Sequence, residues 1–192
     1  MLKANWTKEE IVGLLSSSNC DARKVAALAL SLVGCKGCIP AIAEQLKDSD
    51  PMVNEMAQHA LWSIWFRSGN DQANDHLARG AKQVNDQELE AAIAHFNRAL
   101  QCDSTFAEAY NQRAIAHYLQ EKYRESIADC WCAVERMPCH FGAWAGMAHC
   151  YAHLGELEEA KRAYVRALEI NPHLECVREA IEELQKKSKE IG

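Results

Sequence analysis

Cys35 and Cys38, in the order Cys-Lys-Gly-Cys, are the residues whose spacing most suggests chemistry. A C-x-x-C pattern serves in other proteins as a redox dithiol or as half of a zinc site. Structural zinc takes four ligands, and the sequence has no second C-x-x-C pattern. A redox motif of the thioredoxin type follows a strand, whereas these cysteines connect two predicted helices. We therefore expect reduced, metal-free thiols, with a thiol- or metal-responsive protein as the alternative.

His149 and His153 are the second arrangement that could bind a metal. They lie four residues apart on one face of a predicted helix, a spacing that allows two imidazoles to bind one ion. The sequence fixes no acidic side chain or thiol beside them. We therefore predict no metal site, although these histidines remain part of the metal-responsive alternative.

The sequence has no pattern typical of catalysis or nucleotide binding. It contains neither a G-x-S-x-G nucleophile motif nor a glycine-rich phosphate loop. Glu156, Glu158 and Glu159 open a predicted helix, where carboxylates favour the positive end of the helix dipole. That position accounts for them without acid–base chemistry. The sequence therefore predicts a protein that is not an enzyme and has no cofactor.

The composition limits the partners and the compartment. The chain has 192 residues, 48% of them apolar and 25% charged, with a formal net charge of -6. This acidic excess gives no reason to expect nucleic acid or an anionic membrane as a partner, and no apolar run approaches the length that spans a bilayer. Nine cysteines without a recognisable secretion signal indicate reduced thiols, so we expect a cytoplasmic protein of undetermined oligomeric state.

A period of about 34 residues runs through the second half of the chain. On this spacing one set of positions holds Trp144, Met147, Ala148, Tyr151, Ala160, Tyr164, Ala167 and Pro172. One period earlier they hold Tyr110, Arg113, Ala114, His117, Ser126, Cys130, Ala133 and Pro138. One period further upstream they hold His76, Arg79, Gly80, Gln83, Ala92, Phe96, Ala99 and Ser104. The segment from about 73 to 174 therefore resembles three tetratricopeptide repeats.

The first third of the chain has a different repeat. Its apolar pattern of Ala22, Val25, Ala26, Ala29, Leu30 and Val33 returns as Val53, Met56, Ala57, Ala60, Leu61 and Ile64. This segment resembles short HEAT-like repeats. Because such units also resemble those of bilin lyases, an accessory subunit of a modifying enzyme remains an alternative function.

Together the two resemblances imply an all-α fold, a right-handed solenoid of helical hairpins with roughly ten or eleven helices. Residues 1–69 would form the HEAT-like segment. Residues 73–192 would form three tetratricopeptide hairpins and a C-terminal capping helix that shields the last repeat from water.

The tetratricopeptide resemblance implies a concave groove lined by the first helix of each hairpin. Family members that bind a peptide's terminal carboxylates use basic residues there, and the corresponding positions here hold Leu77, Gly142 and Gly146. The resemblance therefore implies a non-catalytic scaffold that binds a protein or peptide partner through apolar anchors. The groove residues would be Leu77, Val84, Asn111, Ile115, Tyr118, Leu119, His149 and His153.

Arg113 occupies a position that the repeat pattern usually gives to an apolar residue. Asp129 follows it by sixteen residues, on the returning helix of the same predicted hairpin. A half-buried guanidinium needs a carboxylate partner, so we predict a structural ion pair between them. The alternative is that Arg113 extends its side chain into solvent.

Overall fold

The computed structural model describes residues 6–191, with side chains up to Lys186. Within these residues the chain forms eleven α-helices and no β-strand, which confirms the all-α prediction. The first five residues and Gly192, which belong to the two predicted segments, lie outside the described residues. The helices are α1 (Lys8–Leu14), α2 (Cys20–Val33), α3 (Ile39–Glu44), α4 (Pro51–Trp65), α5 (Asp71–Asn85), α6 (Leu89–Cys102), α7 (Ala107–Leu119), α8 (Tyr123–Arg136), α9 (Phe141–His153), α10 (Leu157–Ile170) and α11 (Glu175–Ile191).

The chain divides into two compact units, residues 1–67 and 68–192. The first unit contains α1 to α4, and its core includes the fully buried side chains of Leu30, Ile42 and Leu61. These aliphatic residues occupy the apolar faces of α2, α3 and α4, so the helices pack through them.

Two helices of the first unit begin at side-chain caps. The side-chain oxygen of Thr7 accepts the N–H of Glu10 at 3.2 Å, and the Glu10 carboxylate accepts the N–H of Thr7 at 2.8 Å. This reciprocal pair is a capping box at the start of α1. At α4, Asp50 accepts the N–H of Met52 at 2.9 Å, and Pro51 lies in the first turn, where no N–H is needed.

An ion pair joins α2 to the turn before α4. Arg23 donates through Nε and Nη2 to the two carboxylate oxygens of Asp48, at 2.7 and 2.9 Å. Its Nη1 also donates to the carbonyl oxygen of Ser17 at 2.9 Å. The guanidinium holds the pKa of Asp48 below its usual range, because the bidentate contact stabilises the carboxylate.

The second unit contains three helical hairpins, α5–α6, α7–α8 and α9–α10, followed by α11. One residue in each hairpin turn has a left-handed backbone: Gln87 at φ 62°, Glu121 at φ 60° and Gly155 at φ 75°. These residues occupy equivalent positions of the sequence repeat, so the period predicted from the sequence is also a period of the backbone.

The same hydrogen bonds close the first helix of each hairpin. The N–H groups of Glu88, Lys122 and Glu156 donate to the carbonyl oxygens of Gln83, His117 and Tyr151 at 2.8, 2.9 and 2.9 Å. The left-handed residues Gln87, Glu121 and Gly155 donate to Val84, Tyr118 and Ala152 at 3.1, 2.9 and 3.2 Å. This pair of bonds is a Schellman cap, which satisfies carbonyl groups that a helix end otherwise leaves unpaired.

Gly80 allows the first two helices of the second unit to approach closely. A Cβ atom at this position would lie 2.5 Å from Cε1 of Phe96 on α6, which is far inside van der Waals contact. Phe96 is fully buried beside Ala73 and Ala99. The small residue of the repeat pattern is therefore required by the aromatic ring of the facing helix.

Helix α11, the segment predicted as a capping helix, packs against the last hairpin. Val177 and Leu184 are buried in one cluster with Tyr164 of α10, while most of the exposed side chains of the helix are charged. None of the helices in the described part of the chain is long and apolar enough to cross a membrane.

Candidate functional site

Leu77 lies in the core and not in the groove, so its prediction as a groove residue is wrong. Its side chain is only 1% exposed and belongs to the cluster that includes Ala73 and Phe96. Val84, two turns further along the same face of α5, is half-buried against the same cluster. Helix α5 therefore uses its apolar side chains mainly to stabilise its own hairpin.

Asn111 is also unavailable to a ligand, because a buried polar network holds its side chain. It is 3% exposed, and its Nδ2 donates to Oε1 of Glu108 at 3.2 Å. Oε1 accepts a second hydrogen bond, from Nε2 of Gln112 at 2.7 Å, and Oε2 lies 2.7 Å from Nε2 of His140. Asn111 is thus a structural residue, which corrects its prediction as a peptide contact.

Ile115 and Leu119 form the exposed apolar part of the predicted groove. They lie one turn apart on α7 and are 39% and 43% exposed. Residues four apart lie on the same face of a helix, so the two side chains form one short row. Because neither packs into the core, both are free to contact a ligand.

Tyr118 and His153 are in direct contact, although the hairpins α7–α8 and α9–α10 carry them separately. The Tyr118 hydroxyl lies 2.9 Å from Nε2 of His153 in a hydrogen bond. The His153 ring stacks on Tyr123 with centroids 4.7 Å apart and an interplanar angle of 11°. Burial raises the pKa of Tyr118, and the nearby Tyr123 hydroxyl adds to this effect. The Tyr118 hydroxyl is therefore uncharged at neutral pH.

His149 contacts a different tyrosine. Its Nδ1 lies 2.6 Å from the hydroxyl of Tyr164, and burial lowers the pKa of the imidazole, with His153 contributing in the same direction. The two histidines line a cleft of about 340 Å³ between α9, α10 and α11. Glu179 and Glu183 of α11 also line this cleft.

The two histidines make separate hydrogen bonds. His149 is hydrogen-bonded to Tyr164, and His153 is hydrogen-bonded to Tyr118. Among the described residues, no group of three or more histidine, cysteine, aspartate or glutamate side chains is arranged to hold a metal ion.

The structure brings Arg113 and Asp129 together across the second hairpin. Nε and Nη2 of Arg113 donate to the two carboxylate oxygens at 2.8 and 2.5 Å, and Nη1 donates to Asn97 Oδ1 at 2.5 Å. The Asp129 contact raises the pKa of the guanidinium further. A bidentate pair fixes both side chains, so it links α7 to α8 and, through Asn97, to α6.

Sequence reasoning misses two residues of this region. His140 is completely buried and caps α9, since its Nδ1 accepts the N–H of Ala143 at 3.1 Å. Its position just before a predicted helix indicates the cap, but nothing indicates the Glu108 partner. Tyr123, whose ring stacks on His153, is the first residue of α8. This stacking depends on how the neighbouring hairpins pack, which the sequence does not indicate.

Three segments of the chain match known repeat families. Residues 9–96 match HEAT repeats, and this match extends over α5 and most of α6. Residues 85–121 match a TPR repeat, and residues 142–174 match a tetratricopeptide repeat.

Known proteins with related sequences and structures contain the same type of repeat. A TPR repeat-containing protein of Rhizobium etli is 28% identical over 144 residues, which cover 74% of this chain and 71% of that protein. The chain spans only 12 to 30% of four other curated relatives.

Two solved structures illustrate the shared fold. The first TPR of Spaghetti (RPAP3), bound to the HSP90 peptide SRMEEVD, has a TM-score of 0.61 and 22% identity, covering 62% of this chain and 95% of that one. The second TPR domain of human RPAP3, in complex with the HSP70 peptide SGPTIEEVD, has a TM-score of 0.57 and 25% identity, covering 59% of this chain and 95% of that one. Residues in the first half of the chain thus match HEAT repeats, and two segments further along match tetratricopeptide repeats.

Proposed function

We propose that this protein is a non-catalytic adaptor that binds a peptide or helix of another protein along α7 and α9. The observation that carries the proposal is the exposed aliphatic row of Ile115 and Leu119. It lies on the same helix as Tyr118, whose ring contacts Tyr123 and His153. Apolar anchors beside aromatic edges are the chemistry by which grooves recognise helical or extended segments.

The solved neighbours support an adaptor role and also suggest a difference in ligand. The peptides bound to the two RPAP3 domains both end in Glu-Glu-Val-Asp and are acidic there. In this chain the positions of the basic clamp hold Leu77, Gly142 and Gly146. The described lining of the cleft includes Glu179 and Glu183 but no lysine or arginine. We therefore expect the peptide ligand to be recognised through its apolar side chains and not through terminal carboxylates.

The first unit offers a second exposed apolar surface. Val25, Leu28 and Leu32 lie at helical spacing on α2, and all three are exposed. Exposed aliphatic residues grouped on one helix face are typical of contact surfaces. A scaffold with one surface on each unit would bring two partners together.

We further propose that the protein acts in the cytoplasm, without nucleic acid or membrane as partners. All nine cysteines are free, which fits a reducing compartment. The net charge of -6 opposes binding to phosphate backbones or to an anionic lipid surface.

The experiment is peptide selection followed by calorimetry on the full chain. A phage-displayed peptide library is selected on the immobilised protein, and the selected peptides are titrated into wild type and an Ile115→Ser, Leu119→Ser variant. Loss of two aliphatic anchors should weaken binding by about ten-fold or more. The peptide SRMEEVD, titrated in parallel, should bind more weakly than the selected peptides.

Val165→Ser is the matched control, since Val165 is 42% exposed on α10 and lies outside the proposed row. It should leave the affinity unchanged. If the selected peptides bind the double variant as tightly as wild type, the groove proposal is wrong. If SRMEEVD binds best and its affinity collapses as salt is raised, recognition is through carboxylates instead.

A further inference from the structure

The turn between α2 and α3 brings two thiols into contact. The N–H of Cys38 donates to the carbonyl oxygen of Cys35 at 2.8 Å, which closes the single 3-10 turn Lys36–Cys38. The two Sγ atoms consequently lie 3.8 Å apart. A disulfide needs a separation of about 2.05 Å, so a small rotation of the two side chains is enough to bring the sulfurs into bonding range.

The two cysteines differ in their access to solvent. Cys35 is exposed, whereas Cys38 is 4% exposed and packs beneath the turn. A small reagent in solution can therefore reach the sulfur of Cys35 but not that of Cys38. The arrangement separates an attacking thiol from a protected one.

The ionisation of the two thiols differs in the same sense. The N–H of Gly37 and the thiol of Cys38 both hydrogen-bond to the Cys35 sulfur and lower its pKa, and the positive charge of Lys8 adds to this effect. Burial raises the pKa of Cys38. Because the thiolate is the nucleophile, Cys35 is the sulfur that reacts first.

We propose that Cys35 and Cys38 form a thiol–disulfide exchange site that is oxidised by a low-molecular-weight disulfide such as oxidised glutathione. The Cys35 thiolate attacks one sulfur of the reagent, and the first glutathione thiolate leaves and takes a proton. Cys38 then loses its proton and attacks the Cys35 sulfur, and the second glutathione thiolate leaves and is protonated. Two protein thiols are thereby oxidised to one disulfide, and one glutathione disulfide is reduced to two thiols.

This proposal does not depend on the peptide groove, which lies in the second unit. It places a reactive C-x-x-C pattern outside a strand–helix setting. The pairing follows from a helical turn between two helices, and a reversible bond of this type is how reducing compartments use disulfides.

Trypsin provides a direct readout because Lys36 lies between the two cysteines. Cleavage after Lys24, Lys36 and Lys47 places Cys35 in the peptide 25–36 and Cys38 in the peptide 37–47. The full chain is equilibrated with oxidised glutathione, its remaining thiols are blocked, and it is digested without reductant. The two peptides should remain joined and should separate after reduction.

Single variants separate the two roles. Cys38→Ser should stop at a glutathione adduct on Cys35, whereas Cys35→Ser should leave Cys38 unmodified. The matched control is Cys176→Ser, because Cys176 is the exposed thiol of α11 in the second unit and its loss should not change the linked peptides. Circular dichroism of each variant checks that the helices are retained.

A second measurement uses the reduced wild type without any oxidant. Alkylation by iodoacetamide near neutral pH, followed by peptide mapping, should modify Cys35 about ten-fold faster than Cys176. The proposal is overturned if no linked peptide forms in excess oxidised glutathione, if Cys38→Ser accumulates no adduct on Cys35, or if Cys176 is alkylated as fast as Cys35.

Discussion

The carboxylate of Glu108 on α7 lies 2.7 Å from Nε2 of His140, the residue that caps α9, in a site closed to solvent. Because Nδ1 of His140 accepts the N–H of Ala143, the proton of the neutral ring is on Nε2 and is donated to Glu108. The amides of Asn111 and Gln112 donate to the other carboxylate oxygen. Two successive hairpins are thus joined by a buried, hydrogen-bonded carboxylate.

Removing one member of this network should destabilise the protein strongly. His140→Ala leaves a buried carboxylate without its main donor and α9 without its cap, so we expect a loss of about 2 to 4 kcal/mol. Urea unfolding followed by circular dichroism measures this loss. His59→Ala, on the exposed face of α4, should change the free energy of unfolding by less than about 0.5 kcal/mol. A loss below about 1 kcal/mol for His140→Ala would contradict the assignment.

The helices and their turns could be predicted from the sequence because they depend on local chemistry repeated at a constant spacing. Thr7 with Glu10 predicts one helix start, and Asp50 before Pro51 predicts another. Gly80 marks a close helix contact before any partner is known. Each of these signals involves residues of a single helix or turn, so no knowledge of the packing is needed.

The site could be predicted only in part because its contacts cross between hairpins. Leu77 and Asn111 occupy equivalent positions in successive repeats, and both are buried for different reasons. Leu77 fills the cluster around Phe96, whereas Asn111 binds a carboxylate whose histidine partner is 32 residues away. A repeat pattern gives the helix face but not the neighbours that cover it.

Gly80 and Gly146 should respond to the same substitution in opposite directions. Gly80→Ala places a Cβ 2.5 Å from the buried Phe96 ring, so we expect a destabilisation of about 1 to 3 kcal/mol. Gly146→Ala places its Cβ 3.6 Å from Sγ of Cys130, an ordinary contact, and a helical alanine should stabilise by about 0.5 to 1 kcal/mol. Denaturation midpoints of the two variants provide the measurement. Stabilisation by Gly80→Ala would show that the two helices separate at little cost.

The left-handed turn residues offer a third test, in which the repeat itself supplies the control. Glu121 has φ 60° with a side chain, so Glu121→Gly should stabilise the protein by up to about 1 kcal/mol. Gly155 has φ 75° at the equivalent position, and Gly155→Ala should destabilise it by about 1 kcal/mol or more. Thermal unfolding of both variants tests the prediction. Equal melting temperatures for wild type and both variants would contradict a common turn geometry.

Three histidines of the second unit should make its stability depend on pH. Burial lowers the pKa of His95, His117 and His149. Nearby His76 also lowers the pKa of His95, and His153 also lowers that of His149. Below the ordinary value of about 6.5 the unfolded chain therefore binds more protons than the folded chain. The stabilising contribution of the three neutral imidazoles is therefore fully present above that value, and it is lost as the pH falls from there through the lower pKa values of the folded state.

Urea unfolding at about pH 7.5 and about pH 5 should accordingly give a lower free energy of unfolding at the acidic pH, a range in which ordinary carboxylates remain ionised. His149→Gln removes one of the three groups, so the difference between the two pH values should become smaller. His59→Gln, an exposed histidine of the first unit, should retain the full wild-type difference. If stability instead rises on acidification, or if His149→Gln leaves the difference unchanged, the buried neutral imidazole of His149 is not what links folding to protons.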